Sequence, residues 1–322
     1  MITTKRRILT VIALAAVALS CRLATIPALA TVPEKTAAYV KTYEYDHNMP
    51  LNAEVKEVRT VGGYTLYHVL YDSTNGERVP AHLYIPTRGK APYPCVIVQH
   101  GYSGDKSFGD LFAGVLAPKG YALMAIDIEY HGERKEAGKD VFTIDVADNV
   151  RSLHQTVQDQ MRMVDYLVSR PDIDPKRIGY FGASLGSFLG SIFTGVDSRI
   201  KTVILMVGGG GWDDMLKTSQ VAPFGVIRNH LDNKDDAIKA FADKMDVIDP
   251  LNFVGLISPR TLLMINCEND HYVPKKTGEA LYQMAGDPKE IKWFTCAGDV
   301  AHVPPIDKST SLLKKWYDKN LK

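Results

Sequence analysis

The sequence has no long run of one charge, no dinucleotide or phosphate loop, and no metal-ligand spacing among its histidines. Each absence excludes something. Lys and Arg number 38 against 37 Asp and Glu, a net charge of +1, and no basic stripe stands out. That argues against a nucleic-acid partner. Without G-x-G-x-x-G or a phosphate-binding loop, a nucleotide cofactor is not expected. His47, His68 and His82 have no ligand spacing, so no metal is expected. Internal repeats and low-complexity tracts are missing as well. Cysteine is scarce, at four residues.

The first thirty residues stand apart. Lys5, Arg6 and Arg7 precede an apolar stretch, Ile8 to Ser20, which is short for a span of about 20 residues. Pro27 and Ala28-Leu29-Ala30 then supply a break and a small-x-small cleavage pattern. Residues 1–30 therefore read as a signal peptide, and the protein is expected to be exported to the periplasm or secreted, without a stable membrane span. Leu19-Ser20-Cys21 partly resembles a lipobox, but Ala18 fits it poorly, so a lipoprotein is the weaker reading. Cleavage leaves 34 basic and 37 acidic residues, a charge of −3. Three cysteines remain, Cys95, Cys267 and Cys296. They form no even framework and sit in apolar runs, which predicts buried thiols. An oxidising compartment would also permit a Cys267–Cys296 bridge.

From residue 31 to 60 the chain is polar with little periodicity. Tyr64–Tyr71 and Val79–Ile85 flank Asn75-Gly76 and read as a hairpin. Six short apolar runs follow: Cys95–Val98, Tyr121–Ile126, Arg177–Phe181, Thr202–Val207, Thr261–Ile265 and Ile291–Cys296. Runs of this kind suit strands buried on both faces of a parallel sheet. Between them lie helical patterns. The clearest has Val150, Leu153, Val157, Met161, Val164 and Val168 on one stripe. The alternation predicts an α/β fold with a doubly wound, mostly parallel sheet, edged by the antiparallel hairpin. Residues 209–249 are long for a connection and read as a small helical cap inserted in a domain of residues 31–322.

The strongest chemical signal is Gly182-Ala183-Ser184-Leu185-Gly186. It follows an apolar strand and opens a helix, the setting of a nucleophile elbow. A serine needs a base and a group that orients the base, in the chain order Ser, acid, His. Three histidines follow Ser184. His230 precedes every acid at a strand end, and His271 adjoins Asp270 directly. His302 lies one short loop beyond a strand and is the expected base. Asp270 is the favoured acid, with Glu268 and Asp299 as rivals. Oxyanion N–H groups are expected from Leu185 and from Tyr102 in the loop His100-Gly101-Tyr102-Ser103-Gly104. Trp212, Met215, Phe224 and Ile227 are expected to wall an apolar substrate pocket.

These pieces resemble the dienelactone hydrolase-like and acetyl-xylan-esterase-like branch of the α/β-hydrolase superfamily. The resemblance rests on Pro94–Gly104, Ala125–Arg134, Arg170–Gly190, Asp249–Pro274 and His302. It implies the α/β-hydrolase fold and cleavage of carboxylic esters through an acyl-enzyme, with a small-molecule ester as substrate and no cofactor. Some members use a cysteine nucleophile, and Ser184 departs from them. Asp127–Arg134 resembles a structural or pocket-lining loop of the group. Rival readings are an exported aminopeptidase or oligopeptidase-like hydrolase, a thioesterase or acyltransferase, and a non-catalytic binding protein. The space of about sixty residues between the signal peptide and Pro94 would leave no room for the propeller of prolyl oligopeptidases.

Overall fold

The chain's alternating apolar runs assemble into one nine-stranded sheet among residues 32–322, which are the residues the structure, a computed structural model, describes. The expected signal peptide and Cys21 lie outside them. Three strands come first: β1 (Glu54–Val61), β2 (Tyr64–Asp72) and β3 (Arg78–Pro86). They run antiparallel, and β3 joins the remainder through an antiparallel pairing with β5 (Ala122–Ile126). From there β4 (Tyr93–Gln99), β6 (Ile173–Ala183), β7 (Thr202–Met206), β8 (Thr261–Cys267) and β9 (Lys289–Phe294) are parallel. The order across the sheet is β1-β2-β3-β5-β4-β6-β7-β8-β9.

The expected hairpin is present, with a turn in which Asn75 and Gly76 take φ of 56° and 78°. β1 is the strand that sequence periodicity did not reveal. All eight of its residues are exposed, so no alternation of burial marks it, and its place rests on backbone pairing with β2.

Helices cover both faces. The first is α1 (Glu34–Lys41); α2 (Asp110–Leu116) follows β4. Next come α3 (Val146–Val168) and α4 (Leu185–Val196). After β7 stand α5 (Trp212–Thr218), α6 (Ala222–His230) and α7 (Asp235–Lys244). The last two are α8 (Lys275–Met284) and α9 (Ile306–Asn320). Residues of α2 and α9 pack on one face of the sheet, and residues of α3 to α8 on the other. The winding is therefore double, as the alternation predicts. Among the described residues no helix is long and apolar enough to cross a membrane.

The longest helix, α3, begins at Asp145, whose side chain accepts from the N–H groups of Ala147 and Asp148. Leu153, Val157, Met161 and Val164 of its apolar stripe are buried in the core and Val150 packs against it, whereas Val168, at the last turn, is exposed. A second, polar stripe is buried too. Asp159 accepts from Ser73 Oγ at 2.5 Å and pairs with Arg134 at 2.6 Å, and Gln158 accepts from Thr74 Oγ1 at 2.8 Å. These bonds fasten the hairpin turn to the helix, and periodicity alone gives no sign of them.

Cys267 and Cys296 are bonded to each other, which corrects the expectation of three buried thiols; Cys95 alone remains free and buried. The reason lies in strand register. Cys267, the last residue of β8, pairs with Phe294 at the end of β9, so Cys296 emerges beside it with 5.6 Å between Cα atoms. Sequence spacing carries no information about that adjacency. The crosslink closes a loop with a separation of 29 residues. Replacing both cysteines by serine is expected to lower unfolding free energy by about 3–4 kcal/mol. Denaturant titration of the two proteins measures this, and unchanged midpoints would show that the bridge adds no stability.

Candidate active site

Four loops at the carboxyl edge of the parallel strands converge on Ser184, the edge where open α/β sheets form their sites. The strand β6 ends at Ala183, and α4 starts at Leu185. Between them Ser184 takes φ 54° and ψ −120°, a strained backbone for a residue with a side chain. Its N–H donates to Met206 O at 2.9 Å. The helix that follows lies close under the end of β4. A Cβ on Gly186 would sit 2.5 Å from Gln99 O, and one on Gly182 would collide with the Gly186 carbonyl. The two glycines of the motif are thus required by contact. Leu185 is the first residue of α4, so its N–H has no intrahelical acceptor and points toward the serine end of the helix.

Asp270 and His302 meet as expected. Nδ1 of His302 lies 2.7 Å from Asp270 Oδ2, and the carboxyl group is almost fully buried. Its other oxygen accepts from the N–H groups of Tyr272 and Val273, at 2.8 and 2.9 Å. With a carboxylate facing Nδ1, the proton sits there and Nε2 is left as an acceptor. The rivals are elsewhere. Glu268 is half exposed and lies 3.6 Å from Lys275 Nζ, and Asp299 is exposed. His230 and His271 are exposed as well. The backbone of His271 nonetheless ties the acid loop to the histidine loop, donating to Val300 O at 3.0 Å. Asn269 adds a two-point clasp on Cys296, and the disulfide completes the join.

The loop His100–Gly104 passes directly over the serine. A Cβ on Gly101 would stand 3.0 Å from Ser184 Cβ. His100 is buried, gives Nδ1–H to Gly101 O at 2.8 Å, and takes Ile128 N–H on Nε2 at 3.2 Å. Burial lowers its pKa to about 4, so the ring is neutral at ordinary pH. Asp127 anchors the far end of the loop. It accepts from the backbone N–H and Nζ of Lys106, at 2.7 and 2.8 Å, and from Glu133 N–H at 2.9 Å. Sequence reasoning placed Asp127–Arg134 in a structural or lining role and overlooked Lys106, a buried lysine that reads as surface.

Ser184, His302, Gly101, Tyr102 and Tyr272 line one cleft of about 450 Å³. A narrower apolar pocket of about 30 Å³ opens at Ser184 and Leu185. Trp212, Met215 and Phe224 line it as expected. Ile227 does not: it is buried in the core shared by the helices. Tyr102 and Tyr272 line it too, and Phe142, Phe188, Val221 and Val273 are walls that sequence reasoning did not name. Of these only Val273, beside Asp270, had a positional clue in the sequence. No cluster able to hold a metal ion occurs among the described residues.

The sequence model of the acetyl xylan esterase (AXE1) family matches residues 28–304. Among characterised or catalogued proteins, the chain is 26% identical over 169 residues to the putative hydrolase YtaP of Bacillus subtilis, covering 48% of this chain and 56% of that one. It is 33% identical over 125 residues to esterase FrsA of Yersinia enterocolitica, covering 38% of this chain and 27% of that one. The chain thus spans about half, or less, of the length of these relatives. Two solved structures have the same fold. An acetyl xylan esterase from Paenibacillus sp. R4 matches with a TM-score of 0.72 at 22% identity, over 89% of this chain and 92% of that one. Acetyl xylan esterase 1 from Thermoanaerobacterium sp. JW/SL YS485 gives 0.74 at 20%, over 89% and 94%. The fold is that of the α/β-hydrolases, and the chain belongs to the acetyl xylan esterase family.

Proposed function

We propose that the protein is an exported serine ester hydrolase that removes small acyl groups, acetyl above all, from an alcohol. The carrying observation is the neighbourhood of Ser184: a strained elbow in one cleft with an imidazole whose Nδ1 faces a buried carboxylate. His302 Nε2 takes the Ser184 proton as Oγ attacks the ester carbonyl. The oxygen becomes an oxyanion held by the N–H groups of Leu185 and Tyr102. The imidazolium then protonates the leaving alcohol, and the acyl group stays on Oγ. Water, deprotonated by His302, releases the acid and restores the serine. Asp270 holds the imidazole tautomer and stabilises the imidazolium.

Pocket size supports the acyl assignment. One water needs a cavity of about 10–15 Å³. The 30 Å³ beside Ser184 therefore suits a methyl-sized group. The helices α5 to α7 form the proposed cap over it. The larger cleft, about 450 Å³, is the proposed place of the alcohol. Export accords with the Cys267–Cys296 bridge, since such bonds persist in oxidising compartments.

Three outcomes are expected. Ser184→Ala abolishes both fluorophosphonate labelling and hydrolysis of p-nitrophenyl acetate, and Asp270→Ala lowers kcat by roughly 10³–10⁴-fold while Glu268→Ala leaves it near wild type. The reverse order of the two acid variants would sink the assignment of Asp270. Among p-nitrophenyl esters, kcat/KM falls steeply from acetate to hexanoate; cleavage of aminoacyl anilides alone would overturn the ester reading. The third concerns pH. His100 is neutral in the fold and its pKa lies below the unfolded value of about 6.5. Its unfolded form therefore binds the proton first on acidification. Its contribution to stability is present above pH 6.5 and declines as pH falls toward 4, by on the order of 3 kcal/mol. Thermal midpoints across that window measure the loss, and a His100→Asn variant should flatten the slope.

A further inference from the structure

Tyr102 is shared by three cavities. It lines the narrow acyl pocket, the serine cleft, and a polar cleft beyond it that holds Tyr130, His131 and Asp140. Its ring packs beside His131 on one side and Phe142 on the other, so what fixes that ring bears on the cavities it borders. One side chain does so. The hydroxyl of Tyr102 donates to Asp140 Oδ2 at 2.5 Å. The other oxygen of the same carboxylate accepts from Phe142 N–H at 3.0 Å. Phe142 is a neighbouring wall of the acyl pocket. Its ring lies 6.1 Å from that of Tyr102, 4.9 Å from Phe224 and 5.8 Å from Trp212.

Asp140 therefore holds two walls of one pocket from behind, through separate oxygens. One partner is distant, Tyr102 in the loop after β4, and the other, Phe142, is two residues further along the segment leading into α3. Burial and the neighbouring carboxylate push the Tyr102 hydroxyl pKa up, so it remains a donor at working pH. A charged acceptor makes this hydrogen bond stronger than a neutral one.

We propose that Asp140 is a positioning residue that sets the acyl-length limit of the site. It acts by pinning Tyr102 and Phe142 in the arrangement that leaves room for a small acyl group only. The proposal rests on the ester-hydrolase reading above and adds to it the residue that enforces selectivity. Because the Tyr102 backbone also supplies a proposed oxyanion donor, the same pin affects rate as well as size.

The test is the chain-length profile of the full-length protein. kcat and KM are measured for p-nitrophenyl acetate, butyrate and hexanoate with Asp140→Ala, Asp140→Asn, Tyr102→Phe and the Asp140→Ala/Tyr102→Phe pair. Asp140→Ala is expected to lower kcat/KM for acetate roughly tenfold. The hexanoate-to-acetate ratio should rise by about fivefold or more, because a released ring opens the pocket. Tyr102→Phe removes the same hydrogen bond from the other side and should raise the ratio likewise. The double variant should add little to either single one. Asn offers one acceptor oxygen for two donors, so Asp140→Asn should fall between Ala and wild type. Glu136→Ala, on the exposed rim of the polar cleft, should leave the ratio unchanged.

A folded Asp140→Ala protein that loses activity equally on all three esters would overturn the proposal, since general loosening predicts no change in ratio. If that variant does not fold, an unchanged ratio in Tyr102→Phe overturns it equally. Wild-type protein that cleaves none of the esters would overturn the ester reading and this proposal with it. An active wild type with flat ratios across the variants overturns the role of Asp140 alone.

Discussion

The close approach of the first turn of α4 to the end of β4 governs the geometry of the site. Gly186 lies so near the carbonyls of Gln99 and His100 that a methyl group could not be accommodated. That contact brings two independent loops onto one point. It sets the N-terminus of α4 beside the serine, and it lays Gly101 over the serine Cβ. The positive φ of Ser184 follows, because the chain must turn from strand to helix within one residue to make the approach. The cost of such a conformation is on the order of 1–3 kcal/mol and must be over-determined by its surroundings. Here the surroundings are identifiable: Ser184 N–H on Met206 O, and Ser187 Oγ on the carbonyls of Gly182 and Met206.

The opposite side of the cleft is held by a different means. Asp270 and His302 stand on loops that follow two neighbouring parallel strands, β8 and β9. Parallel register alone brings the strand ends together, but it does not fix loops that extend beyond them. The disulfide, the Asn269 clasp and the His271-to-Val300 bond do. The disulfide and the Asn269 clasp lie between the strand ends and the Asp270–His302 pair, and the His271 bond lies one residue beyond Asp270. The imidazole is thus positioned by backbone joins on one side and by one carboxylate oxygen on the other.

What the sequence makes legible depends on how local the underlying physics is. The parallel strands β4, β5, β7 and β8 announce themselves because both faces are buried, and an uninterrupted apolar run is the direct consequence; β9, expected to be buried likewise, is an edge strand of alternating part-buried and exposed residues. The elbow is legible because Gly182 answers to contact with Gly186 within the same motif, although Gly186 itself answers to the distant carbonyls of Gln99 and His100. That Asp270 and His302 would meet could be expected from chain order and strand ends. The bridge between Cys267 and Cys296 could not be fixed, since it depends on which strands become neighbours. β1 left no pattern, because both of its faces meet solvent. Lys106 is a charged residue buried against a distant partner, Asp127, and half-buried Asp140 is tied to Tyr102, so each reads as surface until those partners are in place. Ile227 shows the converse: an apolar residue of the expected cap segment that faces the core instead of the pocket.

The buried ionic groups around Asp127 have a role that stability alone does not explain. A buried ion pair is a weak source of net stability, because desolvation offsets most of the attraction. Apolar packing could fill the same volume. It could not aim a loop. Asp127 is fully buried and presents its oxygens to Lys106 Nζ, Lys106 N–H and Glu133 N–H, three donors in different directions. Two of the three belong to one residue, at the end of the segment that begins with His100. His100 in turn binds the backbone on both ring nitrogens, to Gly101 and to Ile128. The segment carrying Tyr102 is therefore directed from both ends by hydrogen bonds, whose angular preference an apolar contact lacks. Asp140 extends the same logic outward, from the backbone of the loop to the ring of Tyr102 and so to the wall of the pocket.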